Sequence, residues 1–127
     1  MPVQNMSDKL AMSAVRRSNR FRVIMNLPLK LGWKPGTLVD ISETGVLATH
    51  TGVLKTGSTI DISFVHDGRQ FVANAKVETC TVVGLGAGPG GATLYASRLF
   101  FNNLTDTSKQ ILDSLVGSGM TEPILSF

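Results

Sequence analysis

The sequence predicts a mainly β domain, a six-stranded antiparallel β-barrel with one C-terminal α-helix. Three observations predict it. Apolar and polar residues alternate in several separate runs, Asp67-Gly68 supplies a two-residue hairpin signal between two of those runs, and the period changes from two to about 3.6 only after Asn103.

From Phe21 to Trp33 the odd positions read Phe21, Val23, Met25, Leu27, Leu29, Leu31 and Trp33, while the even ones include Arg22, Asn26, Pro28, Lys30 and Gly32. That alternation predicts one long half-buried strand, with Pro28 marking an edge or a bulge because it cannot donate a ladder bond. Lys34-Pro35-Gly36 turns the chain into a second strand, Thr37 to Ile41, and Ser42 to Gly45 turn it again into a third, Val46 to His50. Ser58 to His66 sets Ile60, Ile62 and Phe64 on one face, Asp67-Gly68 reverses the chain, and Gln70 to Val83 returns. Leu94 to Phe101 completes six strands after a glycine-rich loop. Over Asn103 to Val116 the residues Leu104, Ile111, Leu112 and Leu115 share a helical face, with Asn103 or Thr105 as cap and Gly117 as stop. Strands in hairpin order with a single terminal helix indicate a barrel whose open end the helix covers. The division that follows is a flexible N-terminal arm over residues 1–14, the barrel with its closing helix over 15–116, and a flexible tail over 117–127.

A chain of 127 residues is one domain's worth, able to bury a modest core. Cys80 is its single cysteine, which leaves no internal disulfide and reads as an inert buried thiol in a strand. No apolar run approaches the roughly 20 residues of a membrane helix, and the first residues lack the apolar stretch of a signal peptide. The expectation is a cytoplasmic protein without membrane insertion. Charge is unevenly spread. Up to Lys34 there are seven basic residues and one acid, Asp8, a net of +6, whereas the remainder carries five basic and eight acidic residues, a net of −3. Such a field at one end favours an anionic partner docking there.

Several chemistries find no support. Gly86, Gly88 and Gly91 spell a literal G-x-G-x-x-G, but the chain runs on into a strand rather than opening a helix, so a flexible hairpin loop is the better reading. His50 and His66 have no second ligand at metal-site spacing. No nucleophile with an oriented base and no paired carboxylates stand out, so neither catalytic residues nor a cofactor are expected.

Two short elements suit a guanine nucleotide with phosphates. Arg16-Arg17-Ser18-Asn19-Arg20 offers guanidinium forks that hold phosphate, bond the O6/N7 edge of guanine, or stack on its ring. Asp40-Ile41-Ser42-Glu43-Thr44-Gly45 offers a carboxylate for base N–H groups, a hydroxyl, and a glycine where backbone comes close. Taken alone, the first reads as a solvated basic arm and the second as a self-satisfied Ser turn.

Their order and spacing, Arg-x-x-x-Arg before a first strand and Asp-x-Ser-x-x-Gly between two later ones, resemble the PilZ domain, over residues 15 to 116. The resemblance implies a PilZ-like, split-barrel fold and a receptor for cyclic di-GMP without catalytic activity. Arg16 and Arg20 would then clamp guanine edges and the phosphodiester ring, and Arg17 would add charge or stack on a base. Asp40 would accept from guanine N1–H and N2–H, Ser42 would bond a polar edge or phosphate, and Gly45 would permit the turn through a positive φ. In the last strand the family often has a glycine shortly before an aromatic residue, where this chain reads Ala96-Ser97-Arg98-Leu99-Phe100; Arg98 is there either an additional ligand contact or, the favoured reading, an unrelated surface charge. With no effector domain in the sequence, the output would pass to an unidentified effector protein, as PilZ proteins do in motility and exopolysaccharide regulation. Two alternatives stand beside this: a PilZ-like adaptor that binds only protein, and a basic nucleic-acid-binding barrel. The second is disfavoured because Phe21, Trp33, Phe64 and Phe71 fall on faces assigned to the core rather than to base stacking.

Overall fold

A computed structural model describes residues 20–124. Eight strands and one helix follow in order: β1 (Arg20–Val23), β2 (Pro28–Leu31), β3 (Lys34–Ile41), β4 (Gly45–Thr51), β5 (Thr59–His66), β6 (Arg69–Gly84), β7 (Leu94–Asn103), α1 (Asp106–Val116) and β8 (Thr121–Ile124). Every pairing is antiparallel. The order β2-β5-β6-β7-β4-β3, with β2 pairing back onto β3, closes a six-stranded barrel, and β1 and β8 extend from β3 as a two-stranded ribbon.

The long strand expected from Phe21 to Trp33 is two strands. β3 explains the break. Its first half pairs with β2, Pro28 opposite Thr37, and its second half with β1, Arg22 opposite Asp40. Between those two pairs the edge advances six residues while β3 advances three, so three residues must leave the ladder. Ile24 and Met25 are in that excursion and stand exposed, and Leu27 re-enters the core. Trp33, expected in the core, lies at the tip of the Gly32-Trp33 turn with 81% of its surface exposed. Alternation in the sequence ran on past the last paired residue, Leu31, into a turn that imposes no face.

The flexible tail expected after Gly117 is likewise corrected over Thr121–Ile124. That segment pairs with β1 along all four residues, and Arg22 meets Glu122 at 2.7 Å across the pair. Its Pro123 and short length had concealed a strand that has an exposed edge to join.

The core is the inner row of the barrel: Leu29, Leu31, Leu38, Ile41, Val46, Ile62, Phe71, Val77 and Leu99 are all buried. Thr105, one of the two expected caps, accepts from the Ser108 N–H at 3.1 Å. Ser108 Oγ donates to the Val72 carbonyl at 2.8 Å, which ties the helix start to β6, and Ile111, Leu112 and Leu115 sink into the core. Among barrel polar groups, His50 and Ser97 are buried together, Nε2 to Oγ at 2.7 Å. His50 Nδ1 faces the Gly52 carbonyl at 2.9 Å and must carry its proton, so Nε2 accepts from Ser97. Burial lowers the His50 pKa, backbone bonds around Thr51 and Gly52 oppose it, and the ring is held neutral.

Antiparallel order fixes which connections share an end. The β2–β3, β4–β5 and β6–β7 connections lie at one end of the barrel; the β3–β4 and β5–β6 turns and the passage into α1 lie at the other.

Candidate functional site

Asp40 reaches its position through a β-bulge. Leu38 opposes Ala48 and Asp40 opposes Leu47, so Val39 is the extra residue on β3. Leu38 and Asp40 would otherwise share the inner face by the two-residue period. The bulge turns Asp40 to the outer face while Leu38 and Ile41 both stay inside. A transverse row then runs across the outer surface: Arg22 opposite Asp40, Asp40 opposite Leu47, Leu47 opposite Arg98, Arg98 opposite Thr79.

Arg20 lies on the same face of β1 as Arg22, two residues away, and its Nη1 is 3.8 Å from Asp40 Oδ2. Arg98 Nη2 approaches the same oxygen from the opposite side at 3.9 Å. Neither distance is a hydrogen bond. Asp40 is buried, and its other oxygen, Oδ1, has no hydrogen-bond partner among the described residues. Burial raises the Asp40 pKa, and the charges of Arg98 and then Arg20 pull it back. The arrangement is a desolvated acceptor between two forked donors, neither within hydrogen-bond distance of it. Arg22, by contrast, is committed to Glu122.

Ser42 and Gly45 face inward to the turn. The Ser42 N–H donates to the Gly45 carbonyl at 2.9 Å, and Ser42 Oγ accepts from the N–H groups of Thr44 at 3.2 Å and Gly45 at 3.3 Å. Ser42 Oγ also shares a hydrogen bond with Thr44 Oγ1 at 2.9 Å. Gly45 does not have a positive φ, which corrects the reason expected for it. It is opposite Phe100 in the β4–β7 ladder, where a Cβ would overlap the Leu99 carbonyl oxygen and lie 3.1 Å from Phe100 Cα. Close approach of two backbones, not turn conformation, requires glycine here.

Of the residues singled out in the sequence, Arg20, Asp40, Ser42, Gly45 and Arg98 therefore lie within one neighbourhood, the outer face and turn of β3 and β4. Arg16 and Arg17 lie outside the described residues. The Arg98 contact had one readable signal, the alternation of Ala96, Arg98 and Phe100 against inward Ser97 and Leu99. Its register opposite Asp40 depends on pairings distant in sequence. Around the β3–β4 turn, beside α1, a cavity of about 910 Å³ is lined by Glu43, Thr44, Phe101, Leu104, Lys109 and Asp113 among others, and does not include the Asp40 row. Among the described residues no group of ligands could hold a metal ion, and no helix is long and apolar enough to cross a membrane.

Neither protein-family models nor curated protein sequences match this chain. Among solved structures, the PilZ domain with c-di-GMP of YcgR from Escherichia coli superposes with a TM-score of 0.62, covering 78% of this chain and 86% of that one at 16% identity. The chain has a PilZ-like fold. Its six closed strands and C-terminal helix are the PilZ architecture, and the ion-paired row lies on the outer wall of that PilZ-like barrel.

Proposed function

We propose that this protein is a cyclic di-GMP receptor that acts on a partner protein and has no catalytic activity. The observation that carries the reading is Asp40: a buried carboxylate with one oxygen between Arg20 and Arg98 and the other without a hydrogen-bond partner among the described residues. A buried acceptor of this kind gains most from a ligand that brings its own donors, because leaving it unpaired costs about 1–3 kcal/mol or more for a charged group. Guanine supplies two adjacent donors, N1–H and N2–H, in the geometry a carboxylate takes. The same base presents O6 and N7 to a guanidinium fork, and its phosphates draw further arginines. Arg20 and Arg98 serve those acceptors, and Arg16 and Arg17, four and three residues ahead of Arg20 in the chain, bring further positive charge to the ligand. Ser42 and Gly45 hold the turn that keeps Asp40 and Arg98 in register. The solved PilZ relative contains c-di-GMP in its own structure, which supports the ligand class.

On this reading the nucleotide draws the segment ahead of Arg20 toward the Asp40 row, and the altered surface regulates an effector protein in the cytoplasm, in motility, exopolysaccharide synthesis or a related output. Isothermal calorimetry with the purified chain decides it. Heat at micromolar cyclic di-GMP, with much weaker heat from cyclic di-AMP, is expected; no heat from either sinks the proposal and favours a protein-binding adaptor. Asp40→Ala should narrow the preference for guanine over adenine, and an unchanged preference would remove Asp40 from its role.

A further inference from the structure

The end of the barrel opposite the β3–β4 turn has a character the nucleotide does not use. Three connections meet there: the Gly32-Trp33 turn, the loop over residues 52–58, and the glycine-rich loop over residues 85–93. They touch one another. Lys34 Nζ donates to the Val53 carbonyl at 3.0 Å and sits 5.8 Å from the centre of the Trp33 ring, and a Cβ at Gly88 would come within 2.9 Å of Thr51 Cγ2 at the end of β4.

Each loop presents one large apolar side chain to water: Trp33 is 81% exposed, Val53 61% and Leu85 84%. Val82 and Val83, where β6 enters its loop, add to them. Residues 31–36, 51–58 and 84–93 contain two charges, Lys34 and Lys55, and no acid. This is unexpected, since the chain beyond Lys34 carries more acids than bases.

We infer that this end of the barrel docks peripherally on an anionic lipid bilayer surface. Loop tips bearing single apolar residues can enter the headgroup region separately, and a tryptophan there keeps its ring in the apolar layer and its N–H in the wet one. Lysines behind them meet anionic headgroups, each contributing about fivefold to partitioning. A standard protein interface needs about 800 Å² per partner of continuous, complementary surface, whereas a bilayer surface accepts such tips without shape complementarity. Docking of this kind is weak and salt-sensitive, and needs no membrane-spanning segment. It leaves the Asp40 row, at the other end of β3, open to its ligand.

Trp33 is the chain's one tryptophan and reports directly. The full chain is mixed with vesicles of phosphatidylcholine alone and of phosphatidylcholine with phosphatidylglycerol, with and without brominated acyl chains. Flotation with the anionic vesicles alone, a blue shift of Trp33 emission, and quenching by the brominated lipid are expected. Leu85→Ser should abolish flotation and Lys55→Gln should weaken it about fivefold. Both residues are exposed, so the thermal unfolding curve should stay unchanged. No flotation overturns the inference, and so does flotation without quenching of Trp33, which would assign binding to the basic residues near β1. A blue shift that grows with protein concentration in the absence of vesicles also overturns it, and makes this end a contact between copies.

Discussion

Asp40 and Arg98 should be coupled by about 2 kcal/mol, and the figure follows from their setting. At 3.9 Å two unit charges attract by about 4 kcal/mol at the effective dielectric of a partly buried site and about 1 kcal/mol in bulk water. Asp40's side chain is 6% exposed and Arg98's 26%, so the pair lies between those limits, and the missing hydrogen bond keeps it toward the lower one. Arg98→Met removes the charge and keeps most of the stem; Asp40→Asn removes the carboxylate charge at constant shape. Urea unfolding of the native chain, both single variants and the double variant closes the cycle. Additivity within about 0.5 kcal/mol would refute the pairing, because independent sites add to that accuracy. Arg20 at 38% exposure should couple to Asp40 more weakly, by about 1 kcal/mol. For the nucleotide, Arg98→Met should weaken cyclic di-GMP binding by roughly tenfold or more, since a charged group of the ligand then loses its donor.

The remaining predictions concern pH and packing. Asp40 has a raised pKa, so the folded protein takes its proton more readily than the unfolded chain. Its contribution to stability is therefore greatest in acid and declines as pH rises from about 3.8 through the raised value. Ligand binding runs the other way: guanine donors need the ionised carboxylate, so calorimetric affinity should fall on acidification through that window, and Asp40→Asn should lose this dependence. His50 is lowered from 6.5, so its contribution to stability is present above 6.5 and lost as pH falls through the lowered value; imidazole proton NMR with melts at stepped pH reads both. Ser97→Ala should cost about 1–3 kcal/mol in urea unfolding, because it leaves the buried His50 Nε2 without its donor. Gly45→Ala must part β4 from β7 and disturb the Ser42 N–H to Gly45 carbonyl and Phe101 N–H to Thr44 carbonyl bonds, so about 3 kcal/mol and a Tm drop of roughly 10 °C or more are expected by calorimetry.

Local pattern carried most of the fold. The hairpin at Asp67-Gly68, the inward residues of β5 and β6, the helix cap at Thr105 and its buried face Ile111, Leu112 and Leu115 all follow from spacing within a few residues. What spacing does not contain is the identity of the neighbouring strand. Phe21 to Trp33 alternates apart from Ile24, yet it divides because its two ends pair with one strand in registers three residues apart. Thr121–Ile124 has little strand character of its own and forms one because β1 has a free edge. Trp33 shows the opposite failure: its position in the alternation is right for the core, but the last pair closes at Leu31 and Lys34. For the candidate site, Arg20 and Asp40 could be brought together from order along the chain. Arg98 could not, since its place beside Asp40 is set by the β3–β4 and β4–β7 registers together.

The Asp-x-Ser-x-x-Gly segment consequently divides its labour in a way its residue types alone do not disclose. Asp40 is its outward-facing member, and it faces outward because Val39 is accommodated as a bulge; without that extra residue the carboxylate would point into an apolar barrel beside Leu38. Ser42 spends its hydroxyl on the turn, and Gly45 lets β4 approach β7 closely enough to hold Phe100 and Arg98 in register. Ser42 and Gly45 therefore determine where Arg98 stands, and through it the charge around Asp40. On the proposed function, a substitution at either would disturb nucleotide binding through the position of Arg98. Loss of binding in such a variant reports on the turn unless its unfolding free energy is measured alongside, whereas Arg98→Met and Asp40→Asn alter the outer row and leave the turn's hydrogen bonds in place.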